Sequence, residues 1–567
     1  GEMVATSPNG TTCSGSTSQL ARKFVAWADA CAVSMRSVDS LLTMLREQDG
    51  FSTTPRPHHV RQARAKMSEA PCVDVEVYDD VADVASVSLA EIIQYCKEKG
   101  VLDDERVIAT LSADGLKWKS QSAVQLCVKI PALLARATAA GFPATFGVLT
   151  FAFFRGQETA DNVKFILSPL ADEIKRLHNG GTVELVVCTD LKMANILYGI
   201  SSPGGKFGCC LCTATVQRGS DTNRYLRPCE TAPLARTTEQ RSGLDCHAGC
   251  ADPSGCDWKA GCVAVCIVGC SGLHGAVTSP PIGKDIPFEL FVFDVLHCKL
   301  RVTEKFLNAI KKLIDSAASR SRKGKDKRIA VYHEWTSAAR LPPEKFMRGS
   351  TSSSTVRVTG GQADTVGKTL HVLAAAVQQQ FPSNSCCVYV TSINELVEML
   401  TTFNTLLSEF AGYEVVQGQR LKRDAPPTAD QIARLKTAAT AFEKRCVDRM
   451  GWCDEVLYLH MMAHHGPRML ANHGWLGQYS CETTELHNKN LQRTAANAMA
   501  KTNQSGQVMQ LTLRKVDVLT TTQDPSRNAN LGKRRTYTAR GSGRGSRPAT
   551  KRMGAYHGGA QLKCEKS

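Results

Sequence analysis

The sequence predicts an α/β protein whose single mixed sheet is assembled from distant segments. Three observations predict it. Four apolar, β-type runs lie between residues 106 and 190, and a fifth follows near residue 290. A stretch dense in Cys, Gly and Pro separates the fourth run from the fifth and reads as an insertion. Beyond the fifth run, residues 301–450 turn mostly helical, a second insertion ahead of one more core helix.

RVIATLSADG reads as a strand ending at Asp114, SAVQLCVKI alternates like a second strand, and ATFGVLTFAFF is a third. ADNVKFILSPLADEIKRLHN is an amphipathic helix with Val163, Ile166, Leu167, Leu170, Ile174 and Leu177 on one side. TVELVVCTD is a fourth strand ending at Asp190, a helix follows it, and PFELFVFDVLH is a fifth strand. Three strands, a helix, a strand, a helix and a strand is the order of an RNase H-like core with a five-stranded mixed sheet. In that fold the first and fourth strands are neighbours, so Asp114 and Asp190 would meet at one sheet edge.

At 567 residues the chain holds several cores' worth of sequence, and 43% hydrophobic residues is ordinary for a globular protein. No run approaches the ~18 continuous apolar residues of a membrane helix. The N-terminus lacks a basic-then-apolar signal layout, so the chain reads as soluble and intracellular, with no membrane partner. Its 23 cysteines are then thiols and metal ligands rather than a disulfide frame. A net charge of +16 and a pI near 9.0 point to a polyanionic partner, most simply nucleic acid.

Residues 1–70 read as a polar start, one packing helix from Ser18 to Arg46, and a basic linker from Phe51 to Lys66 that could lie on phosphates. The core's first part spans 75–215, the Cys-rich insertion 216–285 and core strand five 286–300. The helical insertion spans 301–450, and 451–502 carry the last core helix. Residues 503–567 read as a disordered basic tail on nucleic acid, with GKRR as a nuclear import signal. VRVTGGQADTVGKTLHV imitates a phosphate-binding loop, but five residues separate Gly361 from Gly367 where the motif needs four.

Phosphodiester cleavage with two divalent cations needs a cluster of carboxylates, because hard cations take oxygen ligands. Asp114 and Asp190 suit this, and Glu482 or Glu485 could supply a third acid. Cys209 and Cys212 form half a metal site, which His460 with His464 or His465 could complete. One helical turn separates His460 from His464, so spacing alone favours that pair.

Several motifs occur in order: SADG; VVCTDLK followed by CCLC; FDVLHCKLRVTEKF; and HMMAHHGPRMLANHGWLGQYSCETTE. In these the chain resembles DDE transposases of the Transib group and the related catalytic subunit of the V(D)J recombinase. The resemblance implies an acidic triad of Asp114, Asp190 and Glu485 holding Mg²⁺ or Mn²⁺. It also implies a Zn²⁺ site of Cys209, Cys212, His460 and His465, taking His465 where spacing favoured His464. It further implies a nuclear DNA endonuclease and strand transferase acting on double-stranded DNA, transposon ends and target, through a hairpin route. A homodimer is expected, with room for an accessory subunit. Asp294 and His297 could support the site or simply pack. The alternatives are a domesticated, catalytically silent DNA-binding protein and a zinc-rich interaction scaffold built on the Cys-rich insertion.

Overall fold

In the computed structural model, described residues fall between 15 and 521. The stretches 1–14, 48–54, 70–75, 79–83, 103–106, 119–120, 201–208, 213–215, 219–223, 227–286, 344–355, 383–386, 451–456, 500–503 and 522–567, with a few shorter gaps, lie outside them. Most of the Cys-rich insertion and the tail from residue 522 therefore fall outside the described residues.

The N-terminal helices are α1 (Gly15–Ala30), α2 (Met35–Arg46) and α3 (Pro57–Glu69). The helix expected from Ser18 to Arg46 is thus two. Ala32 takes a left-handed φ of 53°, and Ser34 caps α2 by accepting the Ser37 N–H at 3.2 Å. The expected basic linker is largely α3. Its bases face acids of the first two helices: Arg61 pairs with Asp39, and Arg64 lies 3.9 Å from Asp29.

The sheet comprises β1 (Glu76–Tyr78), β2 (Val84–Ser86), β3 (Val107–Trp118), β4 (Gln121–Lys129), β5 (Val148–Phe154), β6 (Val183–Thr189) and β9 (Phe291–Phe293). The short strands β7 (Val216–Arg218) and β8 (Arg224–Leu226) form a separate hairpin. The seven sheet strands run in the order β1-β2-β5-β4-β3-β6-β9. The pairs β3–β4 and β4–β5 are antiparallel, while β3–β6 and β6–β9 are parallel. The five expected strands are all present in a mixed sheet, and the β1–β2 hairpin extends it beyond β5. β3 continues four residues past Asp114, because Leu116 and Trp118 keep burying alternate side chains.

Crossovers are helical: α4 (Leu89–Glu98), α5 (Pro131–Ala139), α6 (Ala160–Leu167), α7 (Ala171–Asn179) and α8 (Leu191–Leu197). The single helix expected over 160–179 breaks at a 3₁₀ turn, Ser168–Leu170, set by Pro169.

After β9 come α9 (Val295–Ser319), α10 (Gly324–Ala338), α11 (Gly360–Gln380) and α12 (Cys387–Phe410), which pack on one another. The basic cluster at 321–328 is only partly a loop, since α10 begins at Gly324. The phosphate-loop imitation lies inside α11, where Thr369 accepts the Trp335 indole N–H at 3.2 Å. The hairpin β10 (Tyr413–Val416) and β11 (Gln419–Lys422) leads to α13 (Ala429–Met450). Thr428 and Gln431 cap α13 reciprocally, as their spacing predicts.

The last elements are α14 (Leu457–His460), a π-helical turn (Met461–His465), α15 (Gly466–His473), α16 (Glu482–Asn497) and α17 (Gln504–Thr521). α17 corrects the expectation of disorder from residue 503. It packs on β5 and β2 on one side and on α1 and α3 on the other. Its buried residues therefore surround it rather than lining one face, and no helical stripe stands out in the sequence. Arg514, in the middle of α17, donates to Asp29 at 2.8 Å.

Candidate active site and metal centre

β3, β6 and β9 run parallel, and each carries an Asp at or near the carboxyl end of its paired stretch. Asp114 sits on β3 beyond the register shared with β6, and the Thr189 hydroxyl donates to the Ala113 carbonyl at 2.5 Å beside it. Asp190 follows β6 and caps α8 by accepting the Met193 N–H at 2.7 Å. Asp294 follows β9 and caps α9, accepting the N–H groups of Leu296 and His297.

Asp294 is fully buried, and hydrogen bonds take up its oxygens. His297 Nδ1 donates to it at 2.5 Å and the Cys481 N–H at 3.0 Å. Burial alone would raise its carboxyl, but the hydrogen bond and charge of His297 and the two backbone donors hold it below the usual range. Asp294 thereby ties the start of α16 to the sheet.

That tether aims Glu485. Glu482 is exposed, whereas Glu485 is half-buried with Oε1 3.6 Å from His297 Nε2. Burial raises the Glu485 carboxyl, opposed by His297 and Lys489. Burial, then the charge of Asp190, push Asp114 up to about 7, with Glu158 and Glu485 adding and His297 opposing. Burial works against the His297 imidazolium, yet Asp294, Asp190 and Glu485 hold it up to about 9. Asp114, Asp190 and Glu485, far apart in sequence, thus share one electrostatic neighbourhood around His297.

Sequence reasoning missed three neighbours. Glu158, after β5, pairs with Lys192 at 2.8 Å and crosses Gly115, where a Cβ would stand 2.6 Å from its Oε2. The glycine of SADG was the available signal. Asn488 and Gln125 also reach Asp114's surroundings, and no spacing rule marks them.

The second cluster is Cys209, Cys212, His460 and His465, whose ligand atoms all lie within 4.8 Å of one another. Cys209 Sγ is 3.5 Å from His465 Nε2, and Cys212 Sγ is 3.3 Å from His460 Nε2. With metal–sulfur near ~2.3 Å and metal–nitrogen near ~2.05 Å, a tetrahedral zinc ion sets sulfur and nitrogen about 3.6 Å apart. Both cysteines are buried, neither is in a disulfide, and the Leu211 N–H donates to Cys209 Sγ at 3.4 Å. The cluster could hold a metal ion such as zinc.

The π turn explains the histidine choice. In a regular helix the fourth residue on from His460 would share its face. The wider turn over Met461–His465 shifts that to the fifth, His465. His464 instead pairs with Glu443 at 2.7 Å. The two sites are joined, since Tyr458, two residues before His460, accepts the Leu191 N–H at 3.2 Å beside Asp190. The cysteines and histidines of the Cys-rich insertion, from Cys229 to His274, lie outside the described residues. Among the described residues no helix is long and apolar enough to cross a membrane. No protein-family model matches the chain, and no curated protein matches it.

Proposed function

We propose that the chain is a DDE-type DNA transposase or recombinase with an RNase H-like core. The observation that carries this reading is the convergence of Asp114, Asp190 and Glu485 from two strands and a late helix. The strand order supports it: relabelled within the core, β5-β4-β3-β6-β9 is 3-2-1-4-5, with the first and fourth strands parallel. So does the resemblance of the motifs around all three acids to the Transib group.

The three carboxyl groups would hold Mg²⁺ or Mn²⁺, and their half-open oxygen donor set suits hard cations. When bound, such ions activate the attacking oxygen and stabilise the leaving one. The chain's own residues set the stage. Asp294 and His297 orient Glu485, with His297 held as a cation that offsets three nearby acids. The Cys209, Cys212, His460 and His465 cluster would hold Zn²⁺ and fix the late helices against the sheet. The net charge of +16 suits double-stranded DNA, both transposon ends and target. Nuclear import through GKRR and action as a homodimer complete the proposal.

The test is cleavage of DNA carrying candidate terminal repeats, with Mg²⁺ or Mn²⁺, by wild type, Asp190→Ala and Glu485→Ala. The reading expects cutting by wild type alone. A wild type that binds these ends yet never cuts them moves the reading to a silent, domesticated DNA-binding protein.

A further inference from the structure

Asn488 lies three residues after Glu485 on α16, which places both on one helix face. It is buried, as is Gln125. Gln125 stands directly opposite Asp114 in the β3–β4 register, so both side chains leave the same sheet face toward α16. Asn488 Nδ2 donates to Asp114 Oδ2 at 2.6 Å, and Gln125 Nε2 donates to Asn488 Oδ1.

The direction of this chain follows from Asp114. In its cation-holding form Asp114 is deprotonated and only accepts, so Asn488 turns its nitrogen toward it, as the Nδ2–Oδ2 bond has it. The Asn488 oxygen then faces Gln125, which must offer its own nitrogen. Gln125 Oε1 is left buried with no hydrogen-bond partner among the described residues. Core packing alone gains nothing from that orphaned oxygen. Its presence makes sense if the direction of the Asn488 amide is what matters.

We infer that Asn488 is a positioning residue for Asp114, with Gln125 locking its amide. The bond occupies one side of Oδ2 and fixes the carboxyl rotation, which is otherwise soft about its last torsion. Oδ1 and the remaining side of Oδ2 are left for cations. Because Asn488 and Glu485 share α16, the bridge also locks the first and third acids into one spacing. This inference rests on the reading that the acids hold divalent cations.

The test is Mn²⁺ titration of the full chain, followed by the spin-resonance signal of free Mn²⁺, with zinc content and circular dichroism as fold controls. Wild type is expected to bind Mn²⁺ and Asp190→Ala to lose it. Asn488→Leu should bind about 10- to 100-fold more weakly, the usual cost of removing a group that orients a ligand. Gln125→Met, which keeps Asn488 but frees its amide to turn, should lose less. A folded Asn488→Leu with wild-type affinity overturns the inference while leaving the site's function standing. Should Asn488→Leu not fold, wild-type affinity in Gln125→Met overturns it equally. Absence of Asp190-dependent Mn²⁺ binding in wild type removes both the functional reading and this one.

Discussion

Replacing either of two adjacent histidines by alanine should give opposite results. His465 lies with Cys209, Cys212 and His460, its Nε2 3.5 Å from a cysteine sulfur, whereas His464 points to Glu443. Structural zinc held by such donors is worth about 10–16 kcal/mol of folding free energy near pH 7. On an equal-share accounting, losing one of four donors removes about 2.5–4 kcal/mol, and it strands two buried thiols. The His464–Glu443 pair is partly exposed on both sides, and such pairs contribute about 0.2–1 kcal/mol. The measurements are metal content by mass spectrometry after dialysis, and chemical unfolding with and without chelator. His465→Ala should lose its metal and unfold at much lower denaturant, while His464→Ala keeps one equivalent and shifts slightly. Retention of metal by His465→Ala together with its loss from His464→Ala would refute the π-turn argument.

Two further predictions concern the scaffold. Burial pulls the Lys515 ammonium down to about 7 from 10.5. Its folded pKa is below its unfolded one, so the unfolded chain binds the extra proton between those values. The penalty is full below pH 7 and relieved as pH rises toward 10.5. Unfolding titrations should show wild-type stability gaining on Lys515→Met across that window, and a flat difference would contradict the assignment. Gly412 adopts φ +85°, and a Cβ there would sit 2.6 Å from the Trp475 side chain. Gly412→Ala combines left-handed strain with overpacking, for a loss of about 2–4 kcal/mol in thermal unfolding.

Much of the sheet was legible because its strands are buried on both faces. Apolar runs such as Val183–Val187 and Val148–Phe154 stand out without any partner information. Asp190 was legible for a local reason: it ends a strand and caps the next helix. The end of β3 was not, since Trp118 is buried against Gln504, nearly 400 residues away, where the indole N–H donates at 2.7 Å. α17 was hidden by being covered on opposite sides, with Arg514, Lys515 and Asp517 buried among its apolar residues. The histidine spacing misled because a regular helix was assumed where one extra residue per turn is accommodated. Glu158, Gln125 and Asn488 are single polar residues whose contacts exist only once β3 meets the end of β5 and α8 on one side and β4 and α16 on the other. No periodic pattern can announce them.

Asp114, Asp190 and Glu485 are proposed to act together on DNA. The most direct measurement supplies pre-nicked duplexes carrying candidate terminal repeats and follows attack by the free 3′-hydroxyl on denaturing gels. With Mg²⁺ or Mn²⁺, wild type should convert the nick into a hairpin or joined product, and Asp114→Asn, Asp190→Asn and Glu485→Gln should each abolish it. Strand transfer that persists in any of the three, or that survives removal of divalent cations, would contradict a shared cation-holding role for these acids.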